Sequence, residues 1–334
     1  MDEAAPLEQA EGGRSNSGPL VTFAVFAYNQ EKYVREAIEA AFAQTYSPLE
    51  IILSDDCSVD GTFAIMQEMA ADYTGPHTVT ARQSPQNRGL LPHVLDVVRA
   101  AQGKYMIVAA GDDISLPQRT DRLVKLFEEE GADFCWSAYE PLDENEGNVR
   151  ISDENYDRET TIFNLPIRRI HGAVAAYRLS NFDKVPAIDT PIFYEDHFFE
   201  IFCEIENLNI GFCPETLVHY RILPDSLSMR LSQNAEVFES RLATRFKRQG
   251  ETAELAIDSF ASPGLLKERP ELAKFREYAA FYKAASAWPD MGLSERLKLL
   301  QCAPDRRAVK WFLPRAILGW RPFVMLRAVQ LKFK

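Results

Sequence analysis

Apolar and polar positions follow two alternating rhythms over the first 140 residues of this chain. Leu20–Ala27 is an apolar, β-branched and aromatic run of strand length. Val34, Ala37, Ile38, Ala41 and Phe42 then fall at i, i+3, i+4, i+7 and i+8, one face of a helix. Leu49–Ser54 predicts a second strand, and Asp60 is placed to cap a helix reaching to Asp72. Thr78–Gln83 reads as a weaker third strand, followed by a turn at Asn87-Arg88-Gly89 and a helix over Pro92–Ala101 closed by Gly103. Tyr105–Ala110 is a fourth strand. Helix Pro117–Glu130 carries Leu123, Leu126 and Phe127 on one face and stops at Gly131, and Asp133–Tyr139 is a fifth strand. Strands recurring roughly every 28 residues with helices between them predict βαβ units and a mostly parallel sheet.

The rhythm loosens after Tyr139. Glu140–Thr160 is polar and acidic, a long loop. Arg168–Tyr177 reads as a strand re-entering the core, Phe193–Cys203 as a helix bearing Phe198, Ile201 and Phe202, and Leu217–Ile222 as a last short strand. From Ser232 the pattern is helical: Ala235–Lys247, Thr252–Ser259, Pro270–Ala287 and Leu293–Gln301. This divides the chain into a disordered tail over 1–18, a sheet domain over 19–230, a helical region over 231–304 and a basic amphipathic tail over 305–334.

With 334 residues, 46% of them hydrophobic, the chain can bury a sizeable core. Its net charge of −12 argues against general nucleic-acid binding through the phosphate backbone. The charge is unevenly spread. In the last thirty residues Asp305 stands against Arg306, Arg307, Lys310, Arg315, Arg321, Arg327, Lys332 and Lys334, interleaved with Trp311, Phe312, Trp320, Phe323 and Phe333. That mixture suits either a helix lying at an anionic membrane surface or a segment whose Trp and Phe dock on the sheet domain while its arginines face water. No apolar run is long enough for a transmembrane helix and no signal-peptide pattern opens the chain. Five widely spaced cysteines without a CxxC pair favour a reducing compartment and argue against a zinc site. A cytoplasmic protein, peripheral at the inner membrane face, is the expectation.

Candidate chemistry sits where strands end. Asp55 and Asp56 follow the second strand, and Asp112 and Asp113 follow the fourth. Parallel strands place such residues along one edge of the sheet, where open α/β folds bind ligands. Two adjacent carboxylates repel unless a cation or polar ligand neutralises them, and hard divalent cations bind through carboxylates together with substrate phosphates. The plainer reading is an Asp-Asp turn capping the next helix.

Several segments, in order, resemble family 2 glycosyltransferases of the GT-A fold. They are Val25-Phe26-Ala27-Tyr28-Asn29, Gln44-Thr45-Tyr46, Asp55 to Thr62, Asn87-Arg88-Gly89, Gly103-Lys104-Tyr105, Asp112-Asp113, Glu195-Asp196-His197, and Tyr220-Arg221 with Ser226-Leu227-Ser228. The resemblance spans residues 20–230 and implies a Rossmann-like α/β catalytic domain there. It implies an inverting transfer from a nucleotide-diphospho-sugar, UDP-linked first and dTDP-linked second, to a glycan or lipid-linked acceptor of a bacterial surface polysaccharide. By the same resemblance Asp113 is the ligand of Mn²⁺ or Mg²⁺ and Asp112 lies near the ribose or the metal's waters. Asp56 accepts from the base, Phe26 and Tyr28 line the base pocket, and Arg88 steadies the base or phosphate side. Asp196 is the implied general base. Its place at a helix start predicts a carboxyl lowered by the helix dipole, with Glu195 tuning it. Two positions depart from the family pattern: Gly111 precedes the Asp pair, and Leu223 stands where relatives often have His. That His-to-Leu change leaves a non-catalytic nucleotide-sugar-binding scaffold as the alternative. A sugar-1-phosphate nucleotidyltransferase needs a Gly-rich basic loop where Tyr28-Asn29-Gln30-Glu31 stands, and a Rossmann dehydrogenase needs a GxGxxG that no strand here precedes.

Overall fold

A computed structural model describes residues 18–142, 170–192, 194–223, 235–304 and 306–318. The expected tail over 1–17, most of the Glu140–Thr160 loop, Phe193, Ser226-Leu227-Ser228 and residues 319–334 lie outside the described residues.

The first half builds β1 (Val21–Ala27), α1 (Val34–Phe42), β2 (Leu49–Asp55), α2 (Thr62–Asp72), β3 (Thr78–Gln83), α3 (Leu90–Ala100), β4 (Tyr105–Ala110), β5 (Ile114–Ser115), α4 (Arg119–Glu129) and β6 (Phe134–Leu142). Then come a 3₁₀ turn at Gly172–Val174, β7 (Ala175–Arg178), α5 (Glu195–Glu206) and β8 (Ile210–Arg221). The helical region holds α6 (Ala235–Phe260), α7 (Pro263–Glu268), α8 (Ala273–Ala285), α9 (Leu293–Gln301) and α10 (Arg306–Leu318).

The eight strands form one sheet in the order β3-β2-β1-β4-β7-β6-β8-β5. The β3-β2-β1-β4 half is parallel, as the βαβ rhythm predicts. β7 then enters antiparallel between β4 and β6, so the expected fifth parallel strand is displaced by one place. β8 runs parallel to β6 and antiparallel to β5.

Period-two alternation decides which face each side chain covers. Val21, Phe23, Val25 and Ala27 of β1 join the cluster under α1, α2 and α4, while Ala24 and Phe26 join the opposite one. Tyr105, Ile107 and Ala109 of β4 divide from Met106 and Val108 in the same way. The Phe26 side continues without a break through Phe198 and Phe202 of α5 into Phe246, Ile257, Phe275, Tyr282, Trp288 and Phe312. Sheet and helical region share that core.

Two expected helices, Ala235–Lys247 and Thr252–Ser259, are one 26-residue helix. Gly250 looks like a break in sequence, but it is a contact point. A Cβ there would stand 2.7 Å from Lys283 Cγ and 2.9 Å from the Ala279 carbonyl oxygen, so glycine lets α6 and α8 approach closely. β8 begins seven residues before the strand read from sequence, because in its first half only Cys213 is buried and the alternation is faint.

In α10, Ala308, Phe312 and Ala316 pack into the core while Leu313, Ile317 and Leu318 are exposed. Phe312 does dock by its ring, but on Phe246, Phe281 and Trp288 of the helical region and not on the sheet domain. Among the described residues no helix is long and apolar enough to cross a membrane. The five cysteines are free thiols.

Candidate active site

The register brings three strand ends together. Phe26 pairs with Ser54 on one side and Ala110 on the other, so the residues after β1, β2 and β4 emerge side by side. The loops after β1 and β2 are latched to each other. Asn29 Oδ1 accepts from Val59 N–H at 3.0 Å, Gln30 N–H donates to Thr62 Oγ1 at 2.7 Å, and Gly61 N–H donates to Glu31 Oε2 at 2.8 Å.

Tyr28 stands on this latch, 45% exposed, and is open to a ligand. Phe26 is buried with its ring edge-on to His93 at 5.2 Å and belongs to the core. Asp56 is buried, and its two oxygens each accept a backbone N–H at 3.0 Å, from Arg88 and Gly89, which fixes the Asn87–Gly89 turn against the end of β2. The Arg88 guanidinium is engaged by Asp96 at 2.7 Å and by Asp189, so the structure gives this cation two carboxylate partners at the α3 side. Asp55 is structural: fully buried, it accepts from Ser58 N–H and Gln83 Nε2, each at 2.8 Å.

The Asp112–Asp113 doublet turns off the end of β4 as expected. Asp113 is 3% exposed. Its Oδ1 accepts from Arg221 N–H at 2.8 Å, while its Oδ2 is buried without a hydrogen bond. Burial, then the neighbouring Asp112, push the Asp113 carboxyl well above the usual range, and burial also raises Asp112. Asp112 is the more open of the two and is held by Gln30. Arg221 locks the turn, its Nε donating to the Asp112 carbonyl at 2.9 Å and its Nη2 to Glu36 at 2.9 Å.

Beneath the doublet lies a fully buried cation that the sequence reading passed over. Arg119 donates to Ser115 Oγ at 2.9 Å and to the Val108 carbonyl at 2.7 Å, and burial lowers it to about 10, so it stays charged at neutral pH. The available signal was its place on the Leu123–Phe127 stripe of the α4 pattern, where an arginine must be buried with the apolar residues.

Glu195 and Asp196 open α5. Asp196 accepts from His197 N–H at 2.8 Å and from Gly172 N–H. The expected lowering by the helix dipole is reversed, because burial, then Glu200, push Asp196 up to about 6. Burial shifts carboxyls by up to 3–5 units, whereas a dipole contributes at most about 2 kcal/mol, so burial wins. Glu195 is raised well above the usual carboxylate range, by burial and then by Asp196. Gly172 fits between them: a Cβ there would stand 1.9 Å from Glu195 Oε1. Gly172→Ala is expected to cost about 1–3 kcal/mol through this overpacking, read as a lower thermal midpoint; an unchanged midpoint would show that Glu195 has room to move.

Residues 22–186 match the family model described as Glycosyl transferase family 2. These residues belong to that family. The putative glycosyltransferase EpsE of Bacillus subtilis is 35% identical over 113 residues, which span 34% of this chain and 40% of EpsE's own length. Among solved structures, the mannosyltransferase PcManGT from Pyrobaculum calidifontis, in complex with GDP-Man and Mn²⁺, aligns with a TM-score of 0.55 at 15% identity over 90% of this chain and 87% of that one. S. aureus TarS 1-349 in complex with UDP-GlcNAc aligns with a TM-score of 0.54 at 14% identity over 93% and 91%. At such identities the likeness is one of fold. The family 2 domain is thus a GT-A-like α/β sheet followed by helices. Its family match covers the strand ends bearing Tyr28, Asp56 and Asp112-Asp113, and it stops before Asp196.

Proposed function

We propose that the protein transfers a sugar, with inversion, from a nucleotide-diphospho-sugar to a hydroxyl of a glycan or lipid-linked acceptor in bacterial surface polysaccharide synthesis. The observation that carries this reading is the burial-raised Asp112–Asp113 doublet, placed at the ligand-binding edge of a family 2 domain. UDP-sugars are the first donor class and dTDP-sugars the second, with Tyr28 against the base and Asp56 beside it.

The doublet fits a divalent cation. Two adjacent carboxyls are both disfavoured as isolated anions, and one buried Asp113 oxygen has no hydrogen bond. Sites for Mg²⁺ commonly combine one or two carboxylates with substrate phosphates and water, a pattern the doublet matches. Asp113 would hold Mn²⁺ or Mg²⁺, with Asp112 near the ribose or the metal's waters, and the ion would supply charge stabilisation to the departing diphosphate. Asp196 removes the acceptor hydroxyl's proton as that oxygen attacks the anomeric carbon. A carboxyl raised to about 6 is ionised at neutral pH and is a stronger base than an ordinary aspartate.

The test is release of nucleoside diphosphate from a panel of UDP-, dTDP- and GDP-sugars with Mn²⁺ or Mg²⁺. Metal-stimulated release from one donor is expected. Binding without turnover, with or without acceptor glycans, would favour the scaffold reading.

The exposed Leu313, Ile317 and Leu318 and the basic residues of 305–334 support peripheral contact with an anionic membrane. Removing the whole segment would also take Phe312 out of the core, so the cleaner variant is Leu313→Glu with Ile317→Glu. This double variant is expected to lose sedimentation with anionic liposomes while keeping its thermal midpoint. Undiminished sedimentation would rule the contact out.

A further inference from the structure

β4 and β7 lead to the two ends of the candidate site. β4 runs out into Asp112-Asp113, and β7 is entered from the 3₁₀ turn whose Gly172 N–H holds Asp196. The antiparallel ladder between the two strands would tie those ends together, but it stops short. It pairs Tyr105 with Arg178, Met106 with Tyr177 and Ile107 with Ala176, and there it ends.

Arg119 bridges the gap that follows. Its Nη2 donates to the carbonyl of Val108, the first residue of β4 beyond the ladder, at 2.7 Å, and to the carbonyl of Ala173, next to Gly172, at 3.4 Å. Its Nη1 donates to Ser115 Oγ at 2.9 Å, two residues after Asp113. The guanidinium thus grips the chain on both sides of the doublet and reaches across to the turn that fixes the base. Taking such a cation wholly out of water is expensive, and an apolar side chain of similar volume is often as stable or more so. What the guanidinium adds is a rigid fork of donors that meets three segments at once.

The turn it holds has no slack. A Cβ on Gly172 would stand 1.9 Å from Glu195 Oε1 and 3.6 Å from Asp196 Cβ, so a shift of the turn is passed on to the base. We propose that Arg119 is a positioning residue that sets the spacing between the Asp112–Asp113 doublet and Asp196 by joining Val108 to Ala173 where the ladder between β4 and β7 ends. Fully buried, it touches neither donor nor acceptor and acts through the backbone alone. This role rests on the transferase reading above and adds to it the residue that holds its two ends in register.

Arg119→Met removes every donor at similar length, and Arg119→Lys keeps a cation without the fork. Each full-length variant, labelled with ¹⁵N-glycine, is compared with the parent. Hydrogen exchange at Gly172 reads the turn. Exchange at Gly103, whose N–H donates to Thr22 Oγ1 at the opposite end of β4, reads the fold. Turnover is measured at saturating Mn²⁺ and nucleotide sugar. In Arg119→Met, Gly172 is expected to exchange about tenfold faster while Gly103 keeps the parent's rate. Its kcat is expected to fall about 10²-fold, the scale on which a misplacement of about 1 Å acts, with the donor KM unchanged. Arg119→Lys is expected to lie between, and it carries the test by the same criteria if Arg119→Met does not fold. A fall in kcat with Gly172 exchange at the parent's rate overturns the positioning role, since the cation would then act on the doublet directly. Faster exchange at Gly172 with full kcat overturns it as well, and so do equal acceleration at both glycines and no change in either readout. All four of those outcomes leave the transferase reading standing. A parent that binds nucleotide sugar without turning it over overturns the transferase reading itself, and the positioning role with it.

Discussion

Asp196→Asn lowers the turnover number by about 10²–10⁴, the usual contribution of a positioned general base, while donor affinity stays at the parent's value. Asparagine keeps the shape and can still accept from Gly172 and His197 N–H, so the loss isolates proton abstraction from folding. The parent's pH profile gives a second readout. The base works as the carboxylate, so activity is present above about pH 6 and disappears as pH falls through that value. In Asp196→Asn this acidic limb vanishes along with the rate. The effect on stability runs the other way. A carboxyl whose folded pKa lies above its unfolded one is disfavoured by folding once ionised, so the amide variant melts no lower than the parent at pH 8. A variant that turns over at the parent's rate would remove Asp196 from the chemistry.

Asp112→Asn and Asp113→Asn lose about 10²–10³ in metal-stimulated turnover, the scale on which a fixed electrostatic partner of a departing anion acts. Amide substitution is chosen over alanine because Asp113 has two tasks. Its Oδ1 anchors β8 through Arg221 N–H, and an asparagine oxygen keeps that bond while the charge is removed. Mn²⁺ titration by electron paramagnetic resonance then reads the cation directly, in the presence of nucleoside diphosphate. Loss of Mn²⁺ binding together with turnover supports a cation at the doublet. If both variants keep full metal-stimulated activity, the doublet serves only to anchor β8 through Arg221, since β5 separates it from α4, and the cation lies elsewhere. Burial and Asp112 raise the Asp113 carboxyl, so Asp113→Asn, like Asp196→Asn, melts no lower than the parent at pH 8.

Most of the parallel half of this fold was legible, because β1, β2 and β4 are buried on both faces and give unbroken apolar runs flanked by clear helical stripes. What sequence concealed has physical causes. β7 is four residues long and enters antiparallel between strands that are far apart in the chain, so no local rhythm marks its place. The first half of β8 shows too few buried positions to alternate. Gly250 reads as a stop signal, yet its missing side chain is what allows two helices to touch. At the candidate site, residue types at strand ends found the doublet, Asp56 and Tyr28. They gave no warning that Arg88 would meet Asp96 and Asp189, since pairing partners depend on tertiary position. The direction of the Asp196 shift was missed for a similar reason: the dipole is visible in sequence, whereas the depth of burial is not.

The hydrogen bond from Arg221 N–H to Asp113 joins residues 108 positions apart, and β5 meets β8 across the same junction. During synthesis the ribosome releases the doublet well before the strand that closes over it. At ordinary translation rates that interval lasts about 5–20 s. Until residue 221 arrives, Asp113 lacks the backbone N–H that its Oδ1 accepts in the folded chain. The doublet is therefore among the last parts of the sheet to be fixed on the ribosome, and a chain interrupted before that residue carries the parallel half of the sheet with an unfinished edge at β5 and β8.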